Sequence, residues 1–128
     1  MPNILVVDDS KVMREMIVAC LRGVQGLEFV HAASGLEAIE RLSLGAFDLM
    51  FLDLNMPDIG GFEAVEFIRS QDTLKNLPII VVTTRGDEAS RTRALTSGAS
   101  RFMTKPFSPD MVVSELRSLL GAQLRELT

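Results

Sequence analysis

The chain has 128 residues, 47% of them hydrophobic, and 17 acids against 13 lysines and arginines give a formal net charge of -4. That length fits one domain whose core needs no disulfide or metal staple, and the acidic balance argues against direct binding of nucleic acid, which needs a basic face to displace counterions. No stretch reaches the length of a membrane span, and the single Cys20, with no basic-then-apolar leader ahead of it, points to a reducing cytoplasm.

Residues 3–8 contain Ile4-Leu5-Val6-Val7 and read as a buried strand that leaves the sheet with two acids, Asp8 and Asp9. Ser10 caps a first helix whose apolar positions Met13, Met16, Ile17, Cys20 and Leu21 recur at three- and four-residue intervals until Gly23 and Gly26 end it. Residues 27–32 predict a second strand. Ser34 and Glu37 have capping-box spacing, and Leu36, Ile39 and Leu42 are expected to share one helical face up to Gly45.

The stretch Asp48-Leu49-Met50-Phe51-Leu52-Asp53 is an apolar run with an acid at each end, the pattern of a central parallel strand covered on both faces. Met56-Pro57, Asp58 and Gly60-Gly61 force a loop after Asp53, at the carboxyl edge where open α/β sheets collect ligands. Phe62, Val65 and Ile68 mark a third helix, and Ile79-Ile80-Val81-Val82 a strand that exits into Thr83-Thr84. Residues 87–97 have only Ala89, Ala94 and Leu95 as apolar positions, so a helix there is poorly anchored. Residues 101–104 predict an edge strand leading into Lys105-Pro106. Ser108-Pro109 then supplies an N-cap and a first-turn proline for a last helix facing inward through Val112, Leu116, Leu119, Leu120 and Leu124.

Five strands alternating with five helices over short connections predict an α/β fold with a doubly wound parallel sheet and right-handed crossovers. Asp8, Asp9, Asp53 and Thr83 then leave strands at one edge, joined by Lys105 from a fourth strand. Three acids together raise one another's pKa and call for a cation. With no neighbouring His or Cys, oxygen ligands favour Mg²⁺ over zinc. Metal, ammonium and hydroxyl around a carboxylate suit stabilisation of a transferring phosphoryl group, with the carboxylate as nucleophile.

The set Val6-Val7-Asp8-Asp9-Ser10, Leu52-Asp53-Leu54-Asn55-Met56-Pro57, Val82-Thr83 and Lys105-Pro106 resembles the receiver domain of two-component response regulators, of the single-domain chemotaxis type. The likeness covers nearly the whole chain, roughly up to Gly121, and implies one domain with a core of about residues 2–121, residues 122–128 extending the last helix through Leu124 and Leu127. It implies a flavodoxin-like sheet in the order 2-1-3-4-5, an order that comes with the resemblance and not from the hydrophobic pattern. It also implies residue roles. Asp53 is the phosphoacceptor, taking a phosphoryl group from a sensor histidine kinase or a phosphotransfer protein. Mg²⁺ is held by Asp9, by Asp8 through water, by Asp53, and by the backbone carbonyl of Asn55. Thr83 and Lys105 contact the phosphoryl oxygens, the Lys105-Pro106 peptide is cis, and Thr83 with Phe102 forms the switch. The face made by residues 87–97, the last strand and the last helix is the expected surface for a downstream protein. The chain is then a cytoplasmic monomer, or a weak dimer when phosphorylated, and a signal carrier whose only chemistry is its own phosphorylation and dephosphorylation.

Two residues depart from the family's common pattern. The switch aromatic, Phe102, has no hydroxyl, so its coupling comes from burial, and Thr84 is bulkier than the small residue often found after the switch Thr and is expected to narrow access to Asp53. Three other readings remain open. A haloacid-dehalogenase-type phosphatase needs an acid two residues after the nucleophile, where this chain has Asn55; a flavin or nucleotide binder needs a glycine-rich loop where Asp8-Asp9 stand; an unphosphorylated docking scaffold has no use for the intact acid set. His31, without metal-ligand company, reads as a structural or surface residue. Cys20 reads as buried and inert, the methionines as core filler, and Arg91, Arg93 and Arg101 as solvated charges on the output face.

Overall fold

The computed structural model describes the backbone of residues 1–125 and the side chains of residues 1–121. The elements alternate as β1 (Asn3–Val7), α1 (Lys11–Cys20), β2 (Glu28–Ala32), α2 (Gly35–Leu44), β3 (Leu49–Leu52), α3 (Gly61–Ser70), β4 (Ile79–Thr83), α4 (Glu88–Ser97), β5 (Arg101–Thr104) and α5 (Pro109–Arg125). The strands form one parallel sheet in the order β2-β1-β3-β4-β5. This is the flavodoxin-like doubly wound arrangement.

Continuous apolar runs form the central strands because both of their faces are covered. Ile4, Val6, Leu49, Phe51, Ile80, Val82 and Met103 meet Ile17 of α1 and Val112, Leu116 and Leu120 of α5 on one side. Leu5, Val7, Met50, Leu52, Ile79 and Val81 meet Ala38 and Leu42 of α2, Val65 and Ile68 of α3 and Ala94 of α4 on the other. Alternation along each strand therefore feeds two cores, and the sheet between them fixes where every strand ends.

The helix starts follow their caps. The Ser10, Ser34 and Asp87 side chains accept from the backbone N–H three residues on, and Ser108 does the same for Met111 ahead of the first-turn Pro109. Three expectations need correction. Leu36 is 60% exposed, because the inward stripe of α2 is Gly35, Ala38 and Leu42. At 3.6 residues per turn Leu36 and Leu42 stand about 120° apart and do not share a face. Met16 is 47% exposed beside the buried Ile17, and Met111 is exposed too, so the methionines are not uniformly core. Finally, α1 ends at Cys20 with Leu21 as its cap, before Gly23 is reached. The expected extension through Leu124 and Leu127 lies outside the described side chains.

Residues 87–97 do form a helix, yet only Ser90 and Ala94 of α4 are buried, while Ala89 and Leu95 are exposed. Polar ties compensate. Arg69 donates from α3 to the Gly98 carbonyl at 2.9 Å, and Arg93 lies 4.1 Å from the Phe62 ring centroid and 3.6 Å from Glu63. Gly98 sits at φ 121°, and a Cβ there would come within 2.6 Å of the Arg69 side chain.

Candidate functional site

β1 and β3 are hydrogen-bonded neighbours, so the residues that follow them emerge side by side. Asp53 N–H donates to the Val7 carbonyl at 3.0 Å, and Asp8 N–H donates to Ala32 at 3.1 Å. Asp8 and Asp53 lie just past their strands, not within them, and are 2% and 5% exposed. Oxygens of Asp8, Asp9 and Asp53 all lie within 4.8 Å of one another. From the end of β5, the Lys105 ammonium donates to Asp8 Oδ2 at 2.9 Å and stands 3.7 Å from Asp53 Oδ2. The Lys105–Pro106 peptide is cis.

Burial pushes the Asp53 carboxyl above its ordinary pKa. The Lys105 ammonium opposes that shift, Asp8 adds to it, the Asn55 backbone N–H opposes it, and Asp9 adds to it. Asp8 Oδ1 accepts from the Ser10 N–H at 2.9 Å, but Asp53 Oδ1 is buried with no hydrogen-bond partner. A buried carboxylate oxygen without a donor is costly. An orphaned oxygen beside two more carboxylates, in a cluster of oxygen donors alone, fits a hard divalent cation.

Thr83 is fully buried at the end of β4, where its Oγ1 accepts from the Arg85 N–H at 3.2 Å and its carbonyl accepts from the Lys105 N–H at 2.8 Å. Thr84 is exposed beside it. Phe102 is half-buried against the α2–α3–α4 core, with the Arg91 guanidinium 5.8 Å from its ring centroid. Asn55 sits exposed in the loop after Asp53, and the first turn of α3 closes on that loop through Gly61, whose N–H donates to Leu54 at 3.1 Å.

Three residues near this edge carry roles the residue pattern did not give. Arg14 donates to the Asp8 carbonyl at 2.6 Å and to His31 Nδ1 at 3.1 Å, so His31 is neutral with its proton on Nε2. Burial, then the Arg14 charge, lowers the His31 pKa. Asp58 accepts from two backbone donors of α2, and these alone signal its role. Cys20 is half-buried, and burial raises its thiol pKa. Arg101 is paired with Glu115 at 3.1 Å rather than free in solvent.

The signature of the response regulator receiver domain matches residues 4–117. The chain belongs to that family. It is 36% identical over 120 residues to the chemotaxis protein CheY1 of Helicobacter pylori, covering 93% of this chain and 97% of the relative. A putative response regulator of Chloroflexus aurantiacus superimposes with a TM-score of 0.88 at 32% identity, over 94% of this chain and 99% of that one. The receiver domain of the sensor histidine kinase PA1611 from Pseudomonas aeruginosa, solved with a magnesium ion in its active site cleft, gives a TM-score of 0.84 at 28% identity, over 94% and 98%. The chain is thus a CheY-like receiver of two-component signalling, with the general role of phosphoacceptor, and not an enzyme of the ordinary kind.

Proposed function

We propose that this receiver takes a phosphoryl group onto Asp53 from a phosphohistidine of a sensor kinase or phosphotransfer protein, and signals through the face made by α4, β5 and α5. The observation that carries the reading is the Asp53 carboxylate itself, with an unpartnered buried oxygen next to Asp8 and Asp9 and a lysine ammonium 3.7 Å from its other oxygen. The likeness to a receiver that holds magnesium supports Mg²⁺ as the cation. Asp8, Asp9, Asp53 and the Asn55 carbonyl would hold it, and when bound it neutralises charge on the phosphoryl oxygens.

In the transfer, an Asp53 oxygen forms the new O–P bond while the P–N bond of the donor breaks and its electron pair returns to the imidazole. Lys105 sits between Asp8 and Asp53 to receive negative charge from the phosphoryl group. The Thr83 hydroxyl still has its own proton to donate to a phosphoryl oxygen. Movement of Thr83 towards the new group opens room at β4 for Phe102, which pairs across the sheet from Val81 and is loosely covered by Arg91. Hydrolysis of the acyl phosphate at the same site resets the protein. The whole chain works as one receiver, core 2–121, in the cytoplasm, as a monomer or a weak phosphorylation-dependent dimer.

The test is phosphorylation by a small phosphoramidate with and without Mg²⁺. The wild type is expected to label only with the metal, and Lys105→Ala to label about a hundredfold more slowly, the low end of the usual scale for a lost electrostatic donor. Labelling that ignores both metal and Lys105 would refute the reading. Thr84→Ala is expected to label faster than wild type with acetyl phosphate; an equal or slower rate would remove the role of Thr84 in access.

A further inference from the structure

The loop that follows Asp53 is anchored at its start by Leu54, which is buried in the core, while the stretch beyond it is less well covered. Asn55, Pro57 and Asp58 are exposed, and Met56 and Ile59 only partly covered. A carboxylate adds a polar tie to that exposed stretch. Asp58 Oδ1 accepts from the Gly35 N–H at 3.0 Å and Oδ2 from the Leu36 N–H at 2.9 Å, so both oxygens are spent on the first turn of α2. The loop lies flush on that turn. A Cβ at Gly35 would come 2.9 Å from Ile59 Cβ and 3.2 Å from the Ile59 carbonyl, a fit that only glycine allows. At the other end of the loop, a Cβ at Gly61 would come 2.6 Å from Leu54 Cα and 2.9 Å from the Asp53 carbonyl.

Asp58 supplies the acceptor for the amide of the buried Gly35, but the rest of the helix start leans on it less. Ser34 Oγ already accepts from the Glu37 N–H at 3.1 Å, and the Leu36 amide stands at a solvent-exposed position where water would serve it. The pairing therefore restrains the loop as well as completing the helix start. Asn55 lies two residues after Asp53 and three before Asp58, inside the stretch bracketed by the Asp58 bonds to α2 and the Gly61 bond to Leu54.

We propose that Asp58 is a positioning residue: by clamping residues 53–60 to the start of α2, it holds the Asn55 main chain in register with Asp53. This rests on the reading of Asp53 as acceptor beside a Mg²⁺ site. Loss of the clamp lets the loop drift, so metal affinity and acceptor geometry fall together while the sheet and both cores stay intact.

The experiment compares Asp58→Ala, Asp58→Asn and Ser34→Ala with wild type by calorimetric titration with Mg²⁺ alone and by hydrogen exchange of the Gly61 amide, which is bonded to Leu54. Ser34→Ala removes the cap of α2 and leaves the clamp, so it controls for simple loss of helix stability. Asp58→Ala is expected to weaken Mg²⁺ about tenfold, the scale seen for supporting residues around metal ligands, and to speed Gly61 exchange. Asp58→Asn, with one acceptor oxygen left, is expected to fall between, and Ser34→Ala to stay within about twofold of wild type in both readouts. Unchanged Gly61 exchange in Asp58→Ala, or equal losses in Ser34→Ala, would overturn the clamp. Absence of Mg²⁺ binding by the wild type would instead overturn the reading of the site, and the exchange comparison would still decide the clamp.

Discussion

Asp53 is held ready at a cost. Burial raises its carboxyl pKa above that of the unfolded chain, about 3.9, so between those two values the native state carries more protons than the unfolded one. Its stabilising influence is therefore complete below about pH 4 and is lost as pH rises through the native value, leaving a penalty at neutrality. Without metal, Asp53→Asn is expected to melt higher than wild type at pH 7 and to lose that advantage at acid pH; equal melting at pH 7 would contradict burial as the leading cause. Asp58 behaves in the opposite sense. Backbone N–H donors, first that of Leu36, hold it down to about 2, so its contribution is present above the unfolded value and fades as pH falls towards 2. Asp58→Asn is expected to flatten that acid limb of the melting curve.

The elements show which signals were readable and which were not. Caps at Ser10, Ser34 and Ser108 are local chemistry, and each was legible from one or two residues, while the Asp87 cap of α4 was not singled out. The facing of α2 was not: Gly35, Ala38 and Leu42 turn inward and leave Leu36 outside, and the partner that Gly35 packs against, Ile59, is far along the chain. The clamp by Asp58 was hidden for the same reason, since it pairs residues 22 and 23 positions apart. For α4 the pattern was honest: two buried residues anchor little, and the ties that hold the helix come from outside it. Arg69 also donates to the Leu74 and Lys75 carbonyls, at 3.4 and 3.1 Å, so it staples the end of α4 to the loop before β4. Arg69→Ala is expected to lower stability by about 1–3 kcal/mol, the usual range for carbonyls stripped of a donor. Faster amide exchange should appear first in the last turn of α4.

At the scale of the molecule, the apolar runs made the strands legible and the strand ends made the acid cluster legible, since residues leaving adjacent parallel strands must share an edge. Strand order was a different matter. Pairing of β3 with both β1 and β4 is a long-range choice that runs of valine and leucine do not encode, and it came only with the family resemblance. The two cores meet at β3, where Phe51 is fully buried. Phe51→Ala is expected to cost about 3–5 kcal/mol, a large share of the roughly 5–15 kcal/mol of a domain this size. A chemical denaturation series measures that loss. Intact-mass spectrometry after incubation with Mg²⁺ and acetyl phosphate tests Asp53 as acceptor most directly. Wild type gains the mass of one phosphoryl group and Asp53→Asn gains none; labelling of Asp53→Asn to the wild-type extent would contradict the assignment.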